Sequence, residues 1–338
     1  MRKLRPLALI AATAFHADLL GADQIQPKEP WLDNRGQHIQ AHGGGVIKDG
    51  DTWYWFGEDR ARENDAEPNK RFVGCYSSKD LVHWIFRNKV LKLDAPEGLL
   101  PGWALERPKV YRNPTTGKYV MYFHLDGKQN PQDHGYALAR VGVAVCDSID
   151  GDYRFLRSFR PLNKESRDIG QFIDDDGSAY LIFESRPSHG FYIAKLSQDY
   201  LDVEKKIAFV KAPLEGGALV HQDGLYYVMG SHLTSWTPNP NVYAASPKLE
   251  GPWPEHKDFK NIVPLDKSTN TYGSQSTMLL KVTGAKTNSV IFMGDIWKPK
   301  AQWDSRYLWM PVQIGNGTMQ LPEPHPWSVD VRTGEMSR

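Results

Sequence analysis

The sequence predicts an all-β protein, a five-bladed β-propeller, and three observations carry the prediction. One strand–turn–strand sentence occurs five times, at residues 43–58, 107–126, 169–185, 214–232 and 274–295. A second strand pair follows each copy, and the copies start roughly 45–65 residues apart, the period of a four-stranded propeller blade. No Pro/Ser-rich linker interrupts the 338 residues, so residues 23–338 read as one domain.

The first copy, GGGVIKDGDTWYWFGE, ends in a run of bulky residues closed by Glu58. The second, RPKVYRNPTTGKYVMYFHLD, is preceded by Glu106, and the third, IGQFIDDDGSAYLIFES, by Asp168. In the fourth, LEGGALVHQDGLYYVMGSH, Glu215 stands at the head and Asp-Gly turns the chain between two apolar runs, a strong hairpin signal. The fifth, SQSTMLLKVTGAKTNSVIFMGD, carries Gln275 where the earlier blades carry acids. Residues 38–42 read as an edge strand that pairs with residues 327–331, closing the ring and removing two exposed edges.

Charge and composition narrow the partners. The net charge is +1, from 41 basic and 40 acidic residues. That balance argues against nucleic acid or an anionic membrane surface as the main partner. The 11 Trp and 15 Tyr fill cores between blades, and some are expected to stack on a sugar. Cys75 and Cys146 occupy matching places in neighbouring repeats, too far apart for a disulfide, and are expected as buried free thiols. No Cys/His spacing resembles a metal motif, so no metal and no cofactor are expected.

Residues 1–22 combine a basic start (Arg2, Lys3, Arg5), an apolar run over 7–15 and a small-residue point at Gly21-Ala22. This reads as a signal peptide, which predicts a protein exported to the periplasm or beyond the cell. The apolar run is too short for a bilayer, so no membrane insertion is expected. A monomer is expected.

Propeller inner strands converge at one face, which gathers Glu106, Asp168, Glu215 and Gln275 around one axis. Three acids in a small volume repel, and at least one should hold a proton above its usual range. A protonated acid beside an ionised one is what cleavage of a glycosidic bond requires. The other reading has these acids finishing strands and holding loops. Asp174, Asp175 and Asp176 are expected to be solvated turn formers. His42, His124 and His232 are expected near the axis as hydrogen-bonded scaffold.

At the motifs AHGGGVI (41–47), WYWFGE (53–58), ERPKV (106–110), SRDIGQFIDDDGSAYL (166–181), LEGGALV (214–220), SHLTSW (231–236), YGSQST (272–277) and FMGDIW (292–297), the chain resembles glycoside hydrolase family 43. The resemblance covers residues 36–330 and, within the family, points to the exo-β-1,3-galactanases. It implies Glu215 as general acid and Asp168 as the group that orients it and tunes its proton affinity. It implies Glu106, Glu58, Thr234 and Trp236 as sugar contacts, a polysaccharide or oligosaccharide substrate, and inversion of configuration. The aspartate base of most of the family is absent, since blade one reads Gln40-Ala-His-Gly. The resemblance offers Gln275 in its place, as a water-positioning group or base, with Glu106 the alternative. Many such galactanases carry a separate carbohydrate-binding module, and none is expected here. Competing expectations are an α-L-arabinofuranosidase or β-galactofuranosidase on the same fold, and a sugar-binding propeller without hydrolytic activity.

Overall fold

The strands nearest the middle of each sheet are sealed on both faces, which is why they read as continuous apolar runs instead of alternating ones. Every residue of one such strand, Tyr119–Asp126, is buried, whereas the outermost strand Val203–Val210 is largely exposed along its first half. A computed structural model describes residues 23–61 and 67–338, and the expected signal peptide lies outside the described residues.

Blade one is β1 (His42–Asp49), β2 (Thr52–Asp59), β3 (Lys70–Ser78) and β4 (Ile85–Asp94). Blade two is β5 (Ala104–Arg112), β6 (Tyr119–Asp126), β7 (Arg140–Cys146) and β8 (Arg154–Phe159). Blade three is β9 (Ile169–Ile173), β10 (Ala179–Ser185), β11 (Gly190–Leu196) and β12 (Val203–Val210). Blade four is β13 (Leu214–Gln222), β14 (Leu225–His232), β15 (Asn241–Ser246) and the short β16 (Lys260–Asn261). Blade five has three strands, β17 (Gln275–Thr283), β18 (Asn288–Ile296) and β19 (Arg306–Pro311). Neighbours within each blade are antiparallel and in sequence order. The first strands pack on one another around the ring, so β1, β5, β9, β13 and β17 surround the axis.

The hairpin signal at Gln222-Asp-Gly is realised literally. Gln222 pairs with Leu225, and Asp223 and Gly224 both take positive φ (51° and 75°), the two-residue turn whose twist matches the strands.

Five apolar clusters fill the five seams between blades. The seam between blades five and one holds Trp31, Trp53, Trp55, Trp84, Trp309 and Trp327. Each buried ring contributes about 2–3 kcal/mol of transfer free energy, concentrated where the chain ends must be joined. The joint differs from the expected one. Residues 38–42 do not pair with residues 327–331. Ile25 bridges Trp327, Lys28 donates its backbone N–H to Tyr307, and Ser328–Val329 pairs instead with Met336–Ser337. The backbone of residues 39–41 is held by a bond from Ile39 N to Trp31 O and by hydroxyls: Tyr76 accepts from Gln40 N, and Tyr307 accepts from Ala41 N and donates to Ile39 O. Tyrosine hydroxyls thus supply three contacts where a strand partner was expected.

Two smaller expectations also change. Cys75 is buried, but Cys146 is only half-buried. Asp174 and Asp175 do more than turn the chain. They meet His221 at 3.3 and 3.0 Å, Tyr226 donates to Asp174, and Lys281 pairs with Asp175, so this turn clamps blade three to blades four and five. Among the described residues no helix is long and apolar enough to cross a membrane.

Candidate active site

The inner strands bulge where the site begins. Pairing breaks between His42 and Gly45, Glu106 and Lys109, Glu215 and Ala218, and Ser276 and Met278. A bulge bends the strand and re-aims its side chains. In three of these bulges the residue after the first break point takes positive φ: Gly43 (57°), Arg107 (51°) and Gly216 (64°). A Cβ on Gly216 would lie 2.7 Å from Ser276 O, so glycine is required there. Arg107 tolerates the same left-handed backbone with a long side chain, a local strain typical of functional positions.

The bulges open on a cavity of about 670 Å³ lined by Glu58, Glu106, Arg107, Asp168, Glu215 and Gln275, with Trp236 and Trp297 at its rim. Trp236 is 49% exposed and meets Trp297 edge-on at 6.0 Å. Both rings therefore offer apolar faces to a sugar.

Arg107 is the hub. Its Nε lies 2.9 Å from Asp168 Oδ2, its Nη1 donates to Ser276 O, and its Nη2 donates to Gln275 Oε1. Asp168 also accepts the backbone N–H of Gly216 at 2.9 Å, which fixes the residue next to the acid. Glu215 Oε2 accepts from Arg186 at 3.1 Å, and Oε1 accepts from Gln275 at 3.0 Å. Burial, then Asp168 and Glu184, push Glu215 up to about 8 against the pull of Arg107 and Arg186. Glu215 thus faces the cavity with a proton affinity raised above that of an ordinary carboxylate, the two requirements of a general acid.

Gln275 is fully engaged by protein. Its oxygen accepts from Arg107 and from the Trp297 indole N–H at 3.0 Å, and its amide N–H groups go to Glu215 and to Ser231 at 3.1 Å. Arg107 and Trp297 can only donate, so they set the amide's orientation.

Glu106 holds in blade two the place that Glu215 holds in blade four. Its cross-strand partner is His124, where Glu215 faces Ser231. His124 lies 3.1 Å from Glu106 and 2.9 Å from Asp126. Burial opposes its charge, but the two carboxylates outweigh burial and raise it to about 10. Burial likewise works against the Glu106 anion, yet His124, Arg60 and a hydrogen bond from Tyr136 hold it at about 2. Two glutamates at equivalent repeat positions are therefore driven apart, Glu106 towards the anion and Glu215 towards the acid.

Among the described residues, three groups of donor atoms come close enough for a cation: Glu106, His124 and Asp168; Asp168, Glu184 and Glu215; and Asp174, Asp175 and His221. Protein cations already occupy each group. Arg60 and Arg107 serve the first, Arg107 and Arg186 the second, and Lys281 the third. These contacts fit ion pairing and not a metal site.

Residues 40–293 match the model of glycosyl hydrolases family 43. The chain belongs to this family. It is similar over 93% of its length to an exo-β-1,3-galactanase from Phanerochaete chrysosporium solved with β-1,3-galactotriose (35% identity, 70% of that chain, TM-score 0.82). It is also similar to an exo-β-1,3-galactanase from Clostridium thermocellum (32% identity, 93% of this chain and 68% of that one, TM-score 0.80). A putative exo-β-1,3-galactanase from Bifidobacterium bifidum is 34% identical over 88% of this chain and 96% of its own, with a TM-score of 0.77. A comparison with curated protein sequences finds no match.

This family 43 glycoside hydrolase gathers Glu58, Glu106, Asp168, Glu215, Trp236 and Gln275 in one cavity. Thr234 is on the same loop but outside the lining; its hydroxyl donates to Thr237 O and accepts from Asn239. Of the three histidines, only His124 lines the cavity. His42 pairs with Asp295, and His232 packs edge-on against His256. Gln40 is spent on Trp303 O and Arg60 N, so the head of blade one offers no carboxylate in the place of the usual base.

Sequence reading missed Arg107, Arg186, Glu184 and Lys109. Lys109 is buried among the inner strands and donates to Gly43 O and Gly44 O at 2.7 Å and to Thr277 Oγ1 at 3.2 Å. Burial, then Arg107, depress it to about 7. Charge arithmetic was the available signal, because acids converging on one axis need cations of their own. A second signal was the motif Glu-x-Arg, which ends the second strand of blade one (Glu58, Arg60) and of blade three (Glu184, Arg186).

Proposed function

We propose that this enzyme removes galactose from the non-reducing end of β-1,3-galactan, the backbone of arabinogalactan-type glycans, with inversion. The observation that carries the reading is Glu215 facing the cavity beside the amide of Gln275, its proton affinity raised by burial and by Asp168 and Glu184, in a chain similar to exo-β-1,3-galactanases. Glu215 gives its proton to the leaving glycosidic oxygen, and Asp168 holds the acid's backbone and, through Arg107, Gln275. Trp236 and Trp297 stack on sugar rings at the rim.

Of the two bases left open by sequence, Glu106 is the ionised one. Gln275 has both accepting positions of its oxygen filled by Arg107 and Trp297, which supports a role in orienting Glu215. The features of residues 1–22 support export.

The test is proton NMR of the products from β-1,3-galactan and from an aryl arabinofuranoside. Galactose appearing first as the α-anomer supports the reading, and arabinose release alone overturns it. Azide added to Glu106→Ala and Gln275→Ala separates the bases. Restored turnover with a galactosyl azide product is expected from the Glu106 variant and not from the Gln275 variant.

A further inference from the structure

The Glu-x-Arg motif builds the same bracket twice. In blade one, Arg60 donates Nε to Glu58 at 2.7 Å and reaches Glu106 of the next blade at 3.7 Å. In blade three, Arg186 donates Nε to Glu184 at 2.8 Å and Nη2 to Glu215 of the next blade at 3.1 Å. Each bracket ties a buried glutamate to one at the head of the following inner strand.

Glu184 is 2% exposed and does not line the cavity. Its backbone N–H donates to Asp168 O, and its carbonyl accepts from Arg167 N, so it is anchored beside Asp168. Oε1 has Arg186, while Oε2 is buried without a hydrogen-bond partner. Carboxylate oxygens of Asp168, Glu184 and Glu215 lie within 4.8 Å of one another.

We propose that Glu184 is a positioning residue for the general acid: it claims half of the Arg186 guanidinium and leaves Glu215 short of the positive charge it would need to ionise. The inference rests on the reading of Glu215 as acid. The charged groups facing this cluster are Asp168, Glu184 and Glu215 on one side, and Arg107 and Arg186 on the other. His124, from β6, also faces Glu184 but is committed to Glu106 and Asp126. Three acids against two guanidiniums keep one proton, and Glu215 can deliver it to a substrate. Burial and the Asp168 charge, which push Glu184 up to about 7 as well, agree with this arrangement. The blade-one bracket is the internal control. There the bridged acid, Glu106, has a histidinium as cross-strand partner and gives up its proton, whereas Glu215 has only Ser231.

The experiment measures kcat/KM from pH 5 to pH 9 for wild type, Glu184→Gln and Arg186→Met, on β-1,3-linked galactobiose or whichever glycoside the wild type cleaves. An amide at 184 frees Arg186 to stabilise the Glu215 anion. The alkaline limb of Glu184→Gln should move down by about one pH unit, so that kcat/KM at pH 8 falls about tenfold relative to its own value at pH 5. Arg186→Met should move the limb the other way. An aryl glycoside with a good leaving group needs little protonation, and the Glu184→Gln deficit should vanish on it. Profiles that only scale, with unmoved limbs in both variants, overturn the proposal. If Glu184→Gln does not fold, the upward shift of Arg186→Met decides alone. A wild type that cleaves other glycosides but no β-1,3-galactoside defeats the substrate assignment and leaves this test intact.

Discussion

Gln275 donates its side-chain amide to Oε1 of Glu215 at 3.0 Å, across the seam between blades four and five. The same amide is clamped on its oxygen by Arg107 and Trp297. A neutral side chain in this place orients the acid without supplying a charge that would shift it.

Glu215 must be protonated to act, so the rate should fall as pH rises through about 8 and be independent of Glu215's titration well below it. Glu215→Gln should lower kcat by roughly 10²–10⁴-fold. Isothermal titration with the oligosaccharide should still show binding. Turnover that persists in this variant would remove Glu215 from the acid role.

Asp168 contributes a negative charge next to the acid and accepts the Gly216 N–H. Asp168→Asn removes the charge and leaves Arg107 to favour the Glu215 anion. The alkaline limb should move to lower pH, by about one unit, and kcat should fall. A limb that rises would show that the charge acts elsewhere.

His124 holds Glu106 ionised from its cross-strand position. In His124→Asn, Glu106 loses that cation and its proton affinity rises. A base must be ionised, so the acidic limb of the pH–rate profile should climb into the measurable range. An unchanged acidic limb would argue against Glu106 as the base.

Arg107 is buried among Asp168, Gln275 and the Ser276 carbonyl, and its backbone N–H donates to Glu58. Arg107→Ala strands these acids without their cation, and the expected loss is about 3–5 kcal/mol in urea unfolding. A loss below about 1 kcal/mol would mean that water replaces the guanidinium.

Trp236 is exposed at the rim, where it packs edge-on against Trp297. Trp236→Ala should raise KM by about tenfold, with the effect in KM and not in kcat, as expected for binding that is uniform along the reaction. Steady-state kinetics on a trisaccharide would show it.

The fold was legible because a propeller repeats itself. Five copies of one sentence, each with its turn signal, specify blades without any knowledge of what holds them together. The acids were legible for the same reason, standing at the same place in successive copies. What escaped was pairing between copies. Arg107 sits inside a motif read for its glutamate, and its bulged backbone has no signature in a residue of its type. The ring closure escaped too, because Tyr76 and Tyr307 supply much of the backbone pairing of residues 39–41 with hydroxyls, and hydroxyl partners leave no periodic trace. Thr234 was placed correctly on its loop, yet whether a hydroxyl turns to the cavity or to Asn239 depends on a loop hydrogen bond and not on a pattern.

Lys109 fastens the ring from inside. Its ammonium ties β1 and β17 together behind the site, buried and bonded to three oxygens. Lys109 itself belongs to β5, so one side chain of blade two spans the joint between the first blade and the last. Closure of the ring is thereby shared between apolar packing at the seam and a single ammonium near the centre: without it, the Gly43 and Gly44 carbonyls would lose a donor, and the two end blades a common anchor.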